Sequence, residues 1–461
     1  MLYRALRAGV LSALLPGAGQ LYLGRRRRGL VLLALGLLPL VFLGTLLVRG
    51  GGSMLGLLLR PSVLGALLVG NGLLAAFRLF AVFDAYQLGQ DGQASSLPGW
   101  ARVPVACAAV LGLAAFTVAP HAIAGWYNAQ AYQTVTSIFG SGSGTDLAGQ
   151  LPGWSNSNAN ASPKQRNPSG RLTVLLLGGD AGPGRVGLRT DTMIMASLDP
   201  ATKQVALIGL PRNITRVPLP PSAAAAFPCH CFPDLLNALY RYAEANPRFF
   251  PEGPNRGAMA VTRTVEKLTG LKIDYYALID LGGFVDVVDA LGGVTVQVTE
   301  HIKVRIWSPV DGRAAPAVNV EPGRYHFDGR HALAYVRTRS VDDDYHRMRR
   351  QRCLLAGLAS QANLPTLLRA LPRLLSVARR NVSTNIPARD LPRLAALASR
   401  MHGAHITTLG LGPPRYSGRD ARGYPIPRIA EIRAGVQRAL HPTDGPAGPQ
   451  DGALVQGSSC V

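Results

Sequence analysis

The chain has 461 residues, enough for two or three domains, and its formal net charge is +22. A chain this basic suits an anionic partner, whether nucleic acid, acidic lipid headgroups or a phosphate-bearing substrate, and charge alone does not choose among them. Its five cysteines are too few for a disulfide framework, which excludes the small disulfide-stabilised class of secreted protein.

The N-terminal residues 1–127 contain three apolar stretches long enough to cross a bilayer, which needs about 20 apolar residues. They run from Leu30 to Val48, from Ser62 to Phe83 and from Val103 to Tyr127. The run Arg25–Arg28 stays in the cytoplasm under the positive-inside rule, so three spans leave everything after Tyr127 outside the cell. We therefore predict a multi-pass protein of the cell membrane with an extracytoplasmic C-terminal region.

Residues 6–23 precede these stretches and carry the pattern Pro-Gly-Ala-Gly-Gln-Leu-Tyr. Three interpretations are open: a short interfacial helix broken at its glycines, a re-entrant hairpin or a fourth span. None of them changes the topology downstream of Arg28.

A linker, a folded domain and a tail follow the membrane region. Residues 128–170 are rich in Ser, Asn, Gly and Pro with little apolar periodicity, which predicts a flexible linker. Regular patterns resume over residues 171–440, the predicted folded domain. Residues 441–461 are rich in Gly and Pro and predict a disordered tail.

Three predicted strands open the folded domain and bring charged residues to their ends. LTVLLLGG is followed by Asp180, TMIMASLD comes directly after Asp191, and KQVALIGLP leads into Arg212. We expect these three side chains at one rim of a sheet. Two carboxylates at strand ends are commonly turn formers, but they also suit one Mg²⁺ whose remaining ligands are substrate phosphate oxygens.

Helical and strand patterns then alternate along the chain. Helical spacing of apolar residues covers residues 234–246, 259–270 and 283–293, and Gly270 occupies a helix C-cap position. IDYYALID and VTVQVT read as strands between and after them. This alternation predicts an α/β sandwich, with a mixed β-sheet between helices, preceded by the all-α transmembrane region.

The stretch from His331 to Arg352 is richest in side chains that bind phosphate. It contains Arg337, Arg339, Arg347, Arg350 and Gln351, with three consecutive aspartates in its middle. In a helix beginning near Asp344, Arg347 and Gln351 lie four residues apart and share one face. Guanidinium groups bind phosphate oxygens bidentately and remain protonated, as a pyrophosphate site requires. A solvated face of arginine–aspartate pairs explains the same composition, so both interpretations stay open.

Several common sites are excluded by their missing motifs. The glycine-rich loop after the first strand lacks the Gly-Lys-Ser/Thr ending of a P-loop, and neither a Gly-x-Ser-x-Gly elbow nor a His-Glu-x-x-His zinc site occurs. Cys229, His230 and Cys231 supply too few ligands for a structural zinc site. A disulfide formed outside the cell by one of these cysteines with a distant cysteine is the favoured interpretation.

A series of motifs from about Arg171 to Gly412 resembles the LytR-CpsA-Psr family in order and spacing. They are LLLGGD, Arg189-Thr190-Asp191-Thr192-Met193, Pro211-Arg212, LLNALY, IDYYALIDLGGFVDVVDALGGVTVQV, FDGRHALAYVRTR and the segment Arg347–Gln351. The resemblance implies a Mg²⁺-dependent phosphotransferase that moves a glycopolymer from a polyprenyl-pyrophosphate carrier to peptidoglycan. It also implies an apolar tunnel for the lipid between sheet and helices, with residues 283–293 as a candidate wall.

The same resemblance assigns roles to individual residues. Asp180 and Asp191 bind the metal and, with Arg212, Arg337 and Arg339, form the catalytic set. The pyrophosphate is bound by Arg189, Arg212, Arg337, Arg339, Arg347 and Gln351. One departure from the family pattern is Asn213, where an aspartate is usual, because a neutral amide binds metal and accepts protons poorly.

Three other functions compete with transfer. A pyrophosphatase acting on the same carrier differs only in using water as the acceptor. A membrane-anchored regulator that binds DNA, or a non-catalytic scaffold, needs no chemistry at the arginine cluster. The predicted topology favours the envelope enzyme, with the membrane, the lipid-linked glycopolymer and peptidoglycan as partners and no nucleic acid. The sequence leaves the oligomeric state and the identity of the glycopolymer open.

Overall fold

The computed structural model describes residues 2–50, 60–90, 99–139, 170–180, 188–250, 255–304, 317–338, 343–361, 364–387, 390–401, 403–442 and 455–456. The chain divides into two compact units. The first is Met1–Val135 with the short segment Leu391–Ala396, and the second is Thr136–Asp390 with Leu397–Val461.

The first unit is built from helices. They are α1 Leu2–Leu14, α2 Ala18–Tyr22, α3 Arg26–Gly50, α4 Pro61–Gln90 and α5 Gly99–Phe139. Each predicted membrane stretch lies inside one long helix, α3, α4 or α5. Two segments, Pro61–Gln90 and Val103–Thr136, are long and apolar enough to cross a membrane.

The segment at residues 6–23 forms a helix–turn–helix hairpin. Helix α1 has 13 residues, too few for a span, and ends before Gly17, whose φ of 93° is in the left-handed region that favours glycine. The fully buried Gln20 on α2 donates hydrogen bonds to the Ala81 carbonyl and to Asp84, both at 2.9 Å. Asp84 also pairs with Arg28 at 2.5 Å. These contacts bring the start of α3 and the end of α4 to the same end of the unit.

Helices α4 and α5 run antiparallel and share polar contacts. The Asn71 amide donates to the His121 carbonyl at 2.8 Å, and the Asn128 amide donates to the Leu64 carbonyl at 3.0 Å. Helix α5 continues to Phe139, so the start of the predicted linker, residues 128–139, is helical. Neither Gly nor Pro occurs between Trp126 and Phe139 to end the helix earlier. The rest of the predicted linker, to residue 169, lies outside the described residues.

The second unit contains a seven-stranded mixed sheet. Its strands are β1 Leu172–Gly179, β2 Thr190–Asp199, β3 Gln204–Gly209, β6 Tyr275–Asp280, β11 Val382–Thr384, β12 His405–Gly410 and β15 Val455–Gln456. Their order is β11-β6-β1-β2-β3-β12-β15. The β6/β1 and β3/β12 pairs are parallel, and the other pairs are antiparallel. The predicted mixed sheet is confirmed.

Shorter strands form four hairpins or ladders beside this sheet. They are β4 Val217–Pro218 with β5 Cys231–Phe232, β7 Val294–Val298 with β10 Gly323–Phe327, β8 Ile302–Val304 with β9 Val318–Val320, and β13 Ser417–Arg419 with β14 Pro425–Pro427. The helices of the C-terminal region are α6 Pro221–Ala224, α7 Leu239–Ala245, α8 Arg256–Thr269, α9 Leu281–Ala290, α10 Gly329–Arg337, α11 Asp344–Gln361, α12 Leu364–Asn381, α13 Leu391–Arg400 and α14 Ile429–Leu440.

Helices cover both faces of the large sheet, as the α/β sandwich requires. On one face the main core joins sheet residues such as Leu175 and Ile208 to Val261 of α8 and Val436 of α14. On the other face Ala356 of α11 packs on β2 and β3. Helix α8 ends at Gly270 with φ 72°, the C-cap predicted from the sequence.

Two local predictions need correction. Cys229 and Cys231 form a disulfide with each other, not with a distant cysteine, because their Cα atoms are only 5.1 Å apart across His230. In the predicted disordered tail, Val455–Gln456 pairs with Thr407 and Thr408 of β12. An open strand edge offers unpaired backbone groups to such a segment, which explains this pairing.

Candidate active site

The site begins where three neighbouring strands present their ends at the same edge of the sheet. Because β2 is antiparallel to both β1 and β3, the start of β2 lies beside the ends of the other two. The Asp180 backbone N–H, just after β1, donates to the Arg189 carbonyl at 2.8 Å. Asp180, Asp191 and Arg212 therefore reach one rim, as the strand patterns predicted.

Asp191 is held between a guanidinium and an amide. Arg212 Nη1 donates to Asp191 Oδ2 at 2.6 Å, and Asn237 Nδ2 donates to Asp191 Oδ1 at 2.8 Å. Burial alone would raise the pKa of Asp191, but the Arg212 charge, the Asn237 amide and the more distant Arg347 charge outweigh it and hold that pKa below its ordinary value. Asp191 is thus an ionised acceptor at neutral pH.

Asp344 bridges two arginines at the start of α11. Its Oδ1 accepts from Arg212 Nε at 3.2 Å and from Arg347 Nη2 at 2.9 Å. The Arg347 side chain is only 5% exposed, so this pair is shielded from solvent. Burial alone would lower the pKa of Arg212, but Asp191 and Asp344 together raise it. The result is a fixed row of alternating charges, Asp191, Arg212, Asp344 and Arg347.

Arg337 at the end of α10 and Gln351 on α11 complete this polar region. Arg337 Nη2, at the end of α10, lies 3.4 Å from Asp180 Oδ1. Gln351 Nε2 donates to the Val336 carbonyl at 3.3 Å, which fixes the end of α10 against α11. Arg350 has a different role, because its guanidinium is buried and donates to the carbonyls of Tyr335 and Thr338 at 3.1 and 2.7 Å. It fastens α10 and does not line the cavity.

Behind these charges lies a cavity of about 610 Å³ between the sheet and helices α9, α10 and α11. Its charged lining residues are Asp180, Asp191, Asp280, Arg212, Arg337 and Arg347, with Gln351 beside them, and we call this part of the cavity, at the rim of the sheet, the charged mouth. The rest of the lining is mainly aliphatic, including Leu176, Ile194, Ala277, Leu281, Phe284, Val287, Val288, Leu333, Leu354, Leu355 and Leu358. Helix α9 thus forms a wall of the cavity, as expected for residues 283–293.

One predicted site residue, Arg189, is not part of this lining, and another, Arg339, cannot be placed. The Arg189 side chain is exposed and absent from the cavity, while its backbone carbonyl accepts from the N–H groups of Asp180 and Asp191. Arg339 lies outside the described residues. Asn213 has a buried amide oxygen that accepts no hydrogen bond from any residue that the structure describes. Among the described residues no group of three or more His, Cys, Asp or Glu side chains is arranged to hold a metal ion.

Sequence reasoning assigned no site role to Asp344 or Asn237. Asp344 was one of three consecutive aspartates that an exposed face would also explain. The signal that distinguishes it is its position three residues before Arg347, which places both on one helix face. Asn237 gave no sequence signal outside the LLNALY motif, because its partner Asp191 comes from a distant strand.

Comparisons with known proteins identify similar sequences and folds. The model of the LytR_cpsA_psr family matches residues 147–424, more than half of the chain. Biofilm regulatory protein A of Streptococcus mutans is 30% identical over 221 residues, which are 47% of this chain and 50% of that protein. The polyisoprenyl-teichoic acid–peptidoglycan teichoic acid transferase TagV of Bacillus subtilis is 27% identical over 258 residues, 55% of this chain and 60% of that protein.

A crystal structure of Bacillus subtilis TagV is also similar, with 25% identity and a TM-score of 0.43 over 59% of this chain and 97% of that one. The chain spans about half the length of the first curated relative it matches.

Proposed function

The chain belongs to the LytR-CpsA-Psr family, and from this premise we propose that it transfers a glycopolymer from a polyprenyl-pyrophosphate carrier to peptidoglycan. The observation that carries the proposal is the division of the cavity into a charged mouth and an aliphatic interior. A polyprenyl pyrophosphate has the same division, with an anionic head and a long apolar tail. The named activity of the Bacillus subtilis relative, a teichoic acid transferase, supports the same reaction class.

In this proposal the arginines bind the pyrophosphate head. Arg212, Arg337 and Arg347 line the mouth, and each is already paired with a carboxylate. Those pairs hold the guanidinium groups in place, so little reorganisation is needed when phosphate oxygens arrive. The aliphatic side chains of α9, α10 and α11 bind the polyprenyl tail, whose burial is worth about 0.8 kcal/mol per CH₂ group.

The reaction is a substitution at phosphorus. A hydroxyl of the peptidoglycan acceptor forms a new O–P bond with the phosphorus next to the sugar. The bond from that phosphorus to the bridging oxygen breaks, and polyprenyl monophosphate leaves with the electron pair. Charge on the transferring phosphoryl group is stabilised by the arginines, which supply most of the catalysis in this kind of reaction. Asp180 accepts the hydroxyl proton, a role that competes with metal binding by the same carboxylate.

Mg²⁺ is the proposed cofactor, and Asp180 and Asp191 would hold it. Both carboxylates line the mouth. Two protein carboxylates suit Mg²⁺, which usually takes one or two of them and completes its octahedral shell with phosphate oxygens and water. When bound, the ion would supply positive charge beside the pyrophosphate oxygens.

The proposed location is the cell membrane, with several spans and the second unit outside. Helix α3 exposes Leu30, Leu38 and Leu40 by 57, 60 and 63%, as a lipid-facing helix does. The Arg28–Asp84 pair joins the start of α3 to the end of α4, so α3 and α4 cross in opposite directions. With Arg25–Arg28 in the cytoplasm, α5 then crosses the membrane from the cytoplasm to the outside, and the second unit follows it in the chain.

A transfer assay with the purified full-length protein tests this function. The substrate is a synthetic polyprenyl-pyrophosphate-linked disaccharide, and the acceptor is peptidoglycan. We expect Arg337→Ala to lower the rate by about 10²–10³ because a charge on the transferring group loses its partner. The matched control is Arg324→Ala, an exposed arginine of β10 outside the cavity lining, which keeps the wild-type rate. Equal rates in both variants would contradict a role of Arg337 and of the charged mouth in the reaction.

A further inference from the structure

A second basic surface lies on the β13–β14 hairpin, outside the cavity. The Arg422 side chain in its turn is 69% exposed, and Tyr424 is 42% exposed. Arg419 on the hairpin and Arg216 on the segment after Arg212 are also exposed. We call Arg216, Arg419, Arg422 and Tyr424 the arginine–tyrosine patch.

The acidic residue of this hairpin is turned away from the surface. The Asp420 side chain is only 6% exposed. Its Oδ1 accepts from the backbone N–H groups of Arg422 and Tyr424 at 3.0 and 2.7 Å, so it organises the turn. In the described part of the chain, neither Arg216 nor Arg419 has a carboxylate within ion-pair distance. Arg422 Nε lies 3.5 Å from Asp420 Oδ2, so the carboxylate of its own turn offsets part of the Arg422 charge, and Arg216 and Arg419 supply most of the positive charge that the patch presents to solvent.

The β13–β14 hairpin and the segment just before it contact residues next to the charged mouth at two places. Thr215 donates to the Pro425 carbonyl through its backbone N–H at 2.8 Å and through its hydroxyl at 3.2 Å. Thr215 lies three residues after Arg212, which pairs with Asp191. On the other side Tyr345, which follows Asp344, packs on Gly412 so closely that a Cβ there would lie 2.7 Å from its ring.

We propose that the arginine–tyrosine patch binds the anionic glycopolymer beyond the pyrophosphate, before and during transfer. This inference rests on the proposed function and adds to it a binding surface outside the cavity for the phosphate or carboxylate groups along the polymer. Arg216, Arg419 and Arg422 match such charges. Tyr424 offers a ring for stacking on a sugar, and the Arg422 guanidinium lies 5.6 Å from the centre of that ring and orients it.

Binding of full-length protein in detergent micelles to a poly(glycerol phosphate) oligomer tests the patch, with dextran of equal length as the uncharged probe. We expect Arg419→Glu/Arg422→Glu to weaken poly(glycerol phosphate) binding about tenfold at low salt, because two charge-assisted contacts become repulsive. The matched control Arg241→Glu/Arg324→Glu makes the same charge change at exposed arginines that do not line the cavity. Its affinity should change by less than about twofold, since distant exposed charges are screened.

Other results would overturn the proposal. An equal loss in both double variants means that overall charge, not the patch, attracts the polymer. If the patch variant loses binding to phosphatidylglycerol vesicles but keeps poly(glycerol phosphate) affinity, the surface faces the membrane. The short disaccharide carrier does not reach the patch. Turnover of this carrier therefore tests the proposed transferase function separately from the patch. If wild type turns over that carrier but the patch variant binds poly(glycerol phosphate) normally, only the patch assignment fails.

Discussion

Replacing Arg347 with methionine keeps most of the side-chain volume but removes the charge beside Asp344. Arg347 Nη2 lies 2.9 Å from Asp344 Oδ1 and 3.3 Å from the Asp191 carbonyl, and its side chain is 5% exposed. Removing one partner of a buried ion pair costs about 3–5 kcal/mol. Asp344 keeps Arg212 at 3.2 Å, so we expect a loss somewhat below that range, about 2–3 kcal/mol.

Scanning calorimetry of the full-length protein in detergent measures this loss for the second unit. At about 2–4 °C per kcal/mol for a unit of this size, Tm should fall by about 6 °C. The matched control is Arg349→Met on the same helix, whose side chain is 42% exposed and pairs with Glu300 at 3.0 Å. An exposed pair contributes about 0–1 kcal/mol, so this control should lower Tm by less than about 3 °C.

A double-mutant cycle that combines Arg347→Met with Asp344→Asn then separates the interaction energy of these two side chains from general destabilisation. Because each single variant already removes the Arg347–Asp344 contact, the double variant should lose less stability than the sum, by about 1–3 kcal/mol. Strictly additive losses, or a Tm change equal to that of Arg349→Met, would refute the claim that these charges hold one another at the mouth.

Three further predictions test other parts of the structure. The pKa of Asp191 is held below its ordinary value of 3.8, so its contribution to stability is present above that value and is lost as pH falls through the lower folded pKa. The Tm difference between wild type and Asp191→Asn should therefore shrink between pH 6 and about pH 3, and a constant difference would contradict the ion pair. Val287→Trp on the cavity wall should raise KM for a long polyprenyl carrier by about tenfold or more and less for a short one, with exposed Asp286→Trp as control; equal effects on both carriers would contradict a lipid site. Gln20→Leu should destabilise the first unit by about 1–3 kcal/mol in thermal aggregation assays, because Asp84 and the Ala81 carbonyl lose a buried donor; unchanged aggregation would contradict this role.

The rim of the sheet was predictable because it depends on local pattern. Strands β2 and β3 are joined by the four residues 200–203 and are antiparallel, as are β1 and β2, and this arrangement brings Asp180, Asp191 and Arg212 together. The helical spacing of Arg347 and Gln351 was equally local, and α11 begins at Asp344 as expected. These features need only the periods of strands and helices.

The pairing within the mouth was not predictable because it depends on tertiary contacts. Composition alone left the arginine–aspartate run as either a solvated face or a phosphate site. Burial of Arg347 and the bridge from Asp344 to Arg212 exclude the solvated face for these residues, but a residue 132 positions away in the chain makes that bridge. For Arg189 the sequence interpretation predicted a site residue that the structure does not place in the cavity. Arg189 lies between two site residues in the chain, but its side chain is exposed.

Local backbone geometry explains the remaining differences. His230, between the bonded Cys229 and Cys231, has φ 50°, a left-handed conformation that few residues other than glycine take. The sequence did not indicate that conformation. The helix–turn–helix form of residues 6–23 was one of three open alternatives, and the buried contacts of Gln20 with α4 could not be read from the motif itself.

Analysis of the reaction products tests the central claim most directly. Full-length protein in detergent is incubated with Mg²⁺, peptidoglycan and a polyprenyl-pyrophosphate-linked disaccharide, and muramidase fragments are identified by mass spectrometry. The account predicts a muropeptide that carries the disaccharide through a phosphodiester, together with an equal amount of polyprenyl monophosphate. Free disaccharide phosphate without any modified muropeptide would contradict transfer and identify a hydrolase at the same mouth.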